Sequence, residues 1–209
     1  MAVEKYFINE VIKEAKIEEF MKEKFDRAGY SHTIIQRTPL GTRIIVFVSR
    51  PGLVIGRSGK KIKEITEEIK EKFELENPML DVKDVENQFL DAQLVADRIV
   101  KALERGIFYK RIANKYLESI MDAGAVGVEI KISGKLGGER GRMQKFKDGY
   151  IKHAGYYADN LVDKGFAVAN LKQGIVGVQV RILKSVPEDL SLKLKKVETD
   201  EDKGHKETN

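Results

Sequence analysis

Apolar residues recur every three or four positions at Ile8, Val11, Ile12 and Ala15 and continue through Phe20, Met21 and Phe25. That spacing puts them on one side of a helix over 8–27, which Gly29 stops. Tyr30 to Arg37 reads as a strand, Pro39-Leu40-Gly41 as a turn, and the β-branched run Ile44 to Val48 as a buried strand. Pro51 and Gly52 break that strand. Ile62, Ile65, Ile69 and Phe73 then share one face of a helix over 60–73. Pro78 ends the region, and Val82 and Val85 alternate with charges to give a short strand over 81–86.

The second half opens with a helix over 91–104, with Leu94, Val95, Ile99, Ala102 and Leu103 turned inward. Gly106 separates it from a helix over 107–122, striped by Ile112, Ala113, Tyr116, Leu117, Ile120 and Met121 and capped by Gly124. Gly127-Val128-Glu129-Ile130-Lys131-Ile132 echoes Gly177-Val178-Gln179-Val180-Arg181-Ile182. Each alternates apolar and polar residues, so each predicts a strand with one dry and one wet face, and the pair reads as two strands of one sheet. A strand near 145–151 and an ambiguous stretch over 156–173 lie between them. Beyond Pro187 the chain is densely charged, with no apolar periodicity after Leu194, and the expectation there is a disordered tail.

Composition changes this picture little. At 42% hydrophobic residues the chain can fill a core, and 38 Lys plus Arg against 33 Asp plus Glu leave a net charge of only +5. A balance that small does not by itself identify a nucleic-acid partner, so the placement of charge must decide. There are no cysteines, which excludes disulfides and thiolate metal sites. No apolar run approaches the roughly 18 residues of a membrane span, and Met1 to Phe7 lacks the apolar region of a secretory signal. The expected location is the cytoplasm.

Placement is informative at Gly56-Arg57-Ser58-Gly59. Two glycines three apart let the backbone turn tightly and approach another surface without an intervening Cβ. The helix from Lys60 aims its free N–H groups at that turn. Arg50, Arg57, Lys60, Lys61 and Lys63 surround it, and no acid occurs from Arg50 to Lys63. These features suit a polyanion backbone, with Val54, Ile55 and Ile62 packing the supporting helices. A P-loop would need glycine where Val54 stands and Ser or Thr where Lys61 stands. A second basic segment runs from Lys131 to Lys152, where seven Lys and Arg face two acids and five glycines intervene. Lys135, Arg140, Arg142, Lys145 and Lys147 are its candidates for phosphate contact. On the helix over 107–122, Lys110, Arg111, Asn114 and Lys115 fall opposite the apolar stripe.

Ile-Gly-x-x-Gly-x-x-Ile within residues 17–86 resembles the KH domain in its second topological form, order α-β-β-α-α-β, whose loop clamps RNA through the backbone. Val128 to Gly138 is similar to the strand and S-G-K/R-L-G-G turn of the KH-bearing ribosomal protein family of the small-subunit head. Gln173 to Val180 resembles that family's closing strand, and Lys145 to His153 resembles its archaeal and eukaryotic branch. The resemblance implies an α+β protein of two domains, with helices packed on a mixed or antiparallel sheet in the second. The expected divisions are 1–86, 87–186 and a tail, 187–209. It implies binding to small-subunit rRNA, contact with neighbouring head proteins, and a place at the mRNA entry channel with help in unwinding message. Lys110 and Arg111 match two channel positions of the family. The third is Asn114 instead of Lys, with Lys115 beside it.

Nothing in the sequence points to catalysis. His32, His153 and His205 are far apart and lack ligand-spaced partners, and no Ser-His-Asp set or H-E-x-x-H occurs. No metal, cofactor, small-molecule substrate or membrane partner is expected. Two alternatives stay open at this level: a free-standing KH regulator of mRNA, and a lysine-dependent lyase acting on abasic DNA.

Overall fold

A computed structural model describes residues 2–38, 41–73, 75 and 77–185. The tail expected beyond 186 lies outside them. The first unit runs α1 (Ala2–Phe25), a 3-10 turn (Asp26–Ala28), β1 (Tyr30–Thr38), β2 (Gly41–Val48), α2 (Pro51–Ile55), a 3-10 turn (Arg57–Gly59), α3 (Lys60–Phe73) and β3 (Met79–Asp84). β1 pairs antiparallel with β2, and β2 pairs parallel with β3. Parallel pairing needs a crossover, which α2 and α3 supply. Ile17, Phe20, Met21 and Phe25 of α1 and Ile69 of α3 bury Ile44, Val46 and Val48 of β2.

Four expectations fail in this unit. Ile8, Val11 and Ile12 are exposed, and Ile17 is the first buried residue of the core among those described. α1 also starts earlier than predicted, and its 24 residues make a rod of about 36 Å. Its first half overhangs the short sheet, tied to the end of β1 by Arg37, which pairs with Glu10 and Glu14. Pro51-Gly52 does not simply break the chain. Proline takes the first helical position of α2, where its missing N–H costs nothing. That short helix buries Val54 but turns Ile55 outward, so Ile55 does not pack the supporting helices.

The second unit runs α4 (Ala92–Glu104), α5 (Tyr109–Asp122), β4 (Gly127–Gly134), β5 (Arg142–Gly149), α6 (Tyr156–Asn160), β6 (Val162–Leu171) and β7 (Gly174–Leu183). The four strands lie in the order β5-β4-β7-β6, all antiparallel. The two echoing segments are adjacent strands, Val128 opposite Ile182. α4 and α5 cover one face, packing Val95, Ile99, Ile112 and Ile120 on Val128, Ile130, Ile132, Val178 and Val180. The ambiguous stretch resolves into α6 and β6.

The other face is not uniformly wet, contrary to the alternation pattern. Glu129 is fully buried there. At that end of the sheet Ile151, Val162 and Leu183 form a small cluster of their own, and the chain returning from β5 brings His153 over Glu129.

Polar contacts join the units. Asp91 caps α4 through Leu94 N–H (2.9 Å) and also accepts a hydrogen bond from Ser31. Gln88 donates to the Ser49 carbonyl at 3.1 Å, and Lys101 pairs with Asp26 at 3.0 Å. Beside this seam, burial pushes the Asp97 carboxyl up to about 6, against the opposing charges of Lys22 and Lys101, while Asp26 adds to the rise and a hydrogen bond from Gln93 opposes it. A carboxyl whose pKa rises on folding binds its proton more tightly in the folded state. Its contribution is therefore lost as pH climbs from 3.8 to about 6. Asp97→Asn keeps the acceptor for Gln93 and is expected to raise stability at pH 7 by up to about 3 kcal/mol. Urea denaturation should show that gain shrinking toward pH 4. A gain equal at both pH values would refute the assignment.

Candidate RNA-binding surfaces

Gly56 and Gly59 both adopt left-handed backbone, with φ of 70° and 72°. Gly56 ends α2 by donating its N–H to the Gly52 carbonyl at 3.1 Å. A Cβ on Gly56 would stand 2.9 Å from Lys61 Cγ, whereas one on Gly59 would meet nothing within 4 Å. The turn is thus packed on one side and bare on the other. α3 starts directly after it, with Lys60 donating its N–H to the Arg57 carbonyl, so the positive end of the helix dipole lies at the loop.

Arg50, Arg57, Lys60, Lys61 and Lys63 are all exposed. None takes part in an ion pair among the described residues, whereas Lys24, Arg37, Arg43 and Lys101 each have a carboxylate within reach. Among the described residues, the positive charge of this loop has no carboxylate partner. Leu53 and Ile55 are exposed on the neighbouring helix. A nucleotide presents charge and apolar surface together, and here the protein does the same. The sequence reading missed this apolar flank because Leu53 and Ile55 fall beside a proline-glycine pair that hid the short helix.

The second surface belongs to α5 and the β4–β5 hairpin. Lys110, Arg111, Asn114 and Lys115 are exposed, opposite the buried Ile112, Ala113 and Ile120. Lys135, Arg140, Arg142 and Lys147 are exposed on the hairpin and unpaired among the described residues. Lys145 differs, because its Nζ lies 3.5 Å from Glu129 Oε2. Lys131 Nζ and His153 Nε2 approach the same carboxylate at 3.0 and 3.3 Å. Burial pushes the Glu129 carboxyl up. The hydrogen bond from Lys131 and the charges of Lys131, Lys145 and His153 outweigh that and hold it below its ordinary value. Glu129 thus favours its ionised form, with Lys131, Lys145 and His153 gathered around it. The available sequence signal was an acid two residues before Lys131 on a strand otherwise free of acids.

Among the described residues no helix is long and apolar enough to cross a membrane, and no cluster of His, Cys, Asp and Glu could hold a metal ion.

Comparison with known proteins agrees with this division of the fold. Residues 16–89 match the KH domain family, and residues 99–182 match the family described as ribosomal protein S3, C-terminal domain. The chain is similar to the small ribosomal subunit protein uS3 of Methanocaldococcus jannaschii, at 45% identity over 194 residues, covering 91% of this chain and 93% of the relative. It is similar also to the protein of that name from Methanococcus maripaludis strain C5, at 46% identity over 193 residues, covering 91% and 92%. With an N-terminal KH domain followed by the S3-type antiparallel sheet, and with likeness along nearly its whole length, the chain belongs to the ribosomal protein S3 family.

Proposed function

We propose that this protein is a constituent of the small ribosomal subunit, in the cytoplasm, that binds rRNA in the subunit head. The chain divides near residues 86 and 87, and each part brings one RNA surface. In the first, Gly56, Arg57, Ser58 and Gly59 clamp the RNA backbone while Arg50, Lys60 and Lys61 neutralise phosphates. In the second, Lys110, Arg111 and Lys115 line the mRNA entry channel and help open structured message. Lys135, Arg140, Arg142, Lys145 and Lys147 hold rRNA from the hairpin. Neighbouring head proteins complete the contacts. The observation that carries this reading is the set of cations, without ion-pair partners among the described residues, around a glycine turn that is open at Gly59 and lies at the start of α3. Charge left unneutralised in the free protein is charge available to an anionic partner.

The test is reconstitution with small subunits lacking this protein. The full chain should cosediment with them at moderate salt. Crosslinked peptides should come from the segments around 50–63 and 108–115. Recovery of the protein in the soluble fraction would instead favour a free-standing regulator.

A further inference from the structure

The start of α5 and the β4–β5 hairpin enclose a cleft of about 420 Å³ lined by Phe108, Tyr109, Leu136, Glu139, Arg140 and Arg142. That volume falls within the range of sites for small organic groups, roughly 300–1,000 Å³. We propose that this cleft takes one unpaired base of an RNA strand whose phosphates run along Lys110 and Arg111. The inference rests on the reading of α5 as an RNA-facing helix and adds where the strand's bases go.

Several observations converge on a base. Phe108 is 58% exposed and stands just before the helix, outside the apolar stripe that α5 buries. Its ring lies 4.7 Å from that of Tyr109, which in turn meets Phe146 edge-on at 6.5 Å. Tyr109 is therefore anchored on the core, and Phe108 is supported from behind with exposed surface to offer. An exposed, braced aromatic beside cations is a stacking platform for any base, since every base has a π-face. Opposite, Gly137 and Gly138 have nothing within 4 Å of where a Cβ would be, so the hairpin wall stays bare. Arg140 and Arg142 can stack on a base or hold its phosphate. Glu139 argues for orientation: its carboxylate repels phosphate from that wall and suits the N–H edge of a base. The lining and flanking charges are otherwise cationic, which complements an RNA strand and opposes an acid-free apolar partner.

The protein contains no tryptophan, so Phe108→Trp provides a single reporter in the full chain. Titration with an unstructured mixed-sequence oligoribonucleotide should quench its emission. Phe108→Ala should weaken binding about 5- to 150-fold, while Phe108→Tyr, which keeps the ring, should bind like the parent. The slope of log K against log salt should not change in Phe108→Ala, because phenylalanine neutralises no phosphate. Lys110→Gln with Arg111→Gln should make that slope shallower by about 1.4. Unchanged affinity in Phe108→Ala together with an altered slope in the lysine-arginine variant would overturn the cleft and leave the helix reading standing. No change in either would remove the reading beneath it as well.

Discussion

Gly59→Asp is expected to cut affinity for small-subunit rRNA fragments by at least about 100-fold at physiological salt while the protein stays folded. A like charge set against a phosphate costs several kcal/mol, and each 1.4 kcal/mol is tenfold. The fold should tolerate the change because the Cβ enters open space. The remaining cost is the left-handed backbone at φ 72°, on the order of 1–2 kcal/mol, and aspartate is among the residues that accept it best. Filter binding on wild type and variant, with circular dichroism as the control for folding, gives the answer. Wild-type affinity in Gly59→Asp would mean that the turn does not touch RNA. Gly56 makes a poorer probe, since a side chain there collides with Lys61 and mixes packing with binding.

Gly165→Ala should do the reverse, destabilising the fold by about 3 kcal/mol or more without a direct effect on the RNA surfaces. Gly165 lies buried in β6, and a Cβ there would sit 2.2 Å from the Ala92 carbonyl oxygen and 2.6 Å from Gln93 N. Both are backbone atoms of the first turn of α4, so no rotamer change relieves the clash. Overpacking typically costs about 1–3 kcal/mol when side chains can move, and here the helix itself must shift. That shift disturbs the Asp91 cap, worth about 1 kcal/mol, and the bond from Ala92 N–H to Asp163 Oδ2 at 3.2 Å. Urea denaturation measures it. A variant within about 0.5 kcal/mol of wild type would show that α4 and β6 do not approach so closely.

These two glycines mark the boundary of what the chain discloses before folding. Gly59 was legible, because its meaning lies in neighbours a few residues away: another glycine, a run of cations and a helix start. The longer helices, the Ile62-Ile65-Ile69 stripe and the placing of the two echoing segments as strands of one sheet were legible for the same reason, since periodicity is a property of consecutive residues, whereas their direct pairing and the elements α2, α6 and β6 were not. The significance of Gly165 depends on a helix more than seventy positions earlier, which no local pattern contains.

The same physics accounts for the misreadings. Ile8, Val11 and Ile12 have the same spacing as Ile17, Phe20 and Met21, and only the extent of the sheet beneath α1 decides which of them is covered. Alternation put Glu129 on a wet face, but His153, brought back by the chain after β5, helps close over it. Phe108 became one wall of a cleft only when the hairpin at 136–142 folded opposite it. Local spacing determined the long helices, most of the strands and where the cations of the glycine turn would lie. Tertiary closure decided which apolar residues are buried, which charges are paired and where a concave surface opens, because burial is set by what lies across the gap and not by what comes next in the chain.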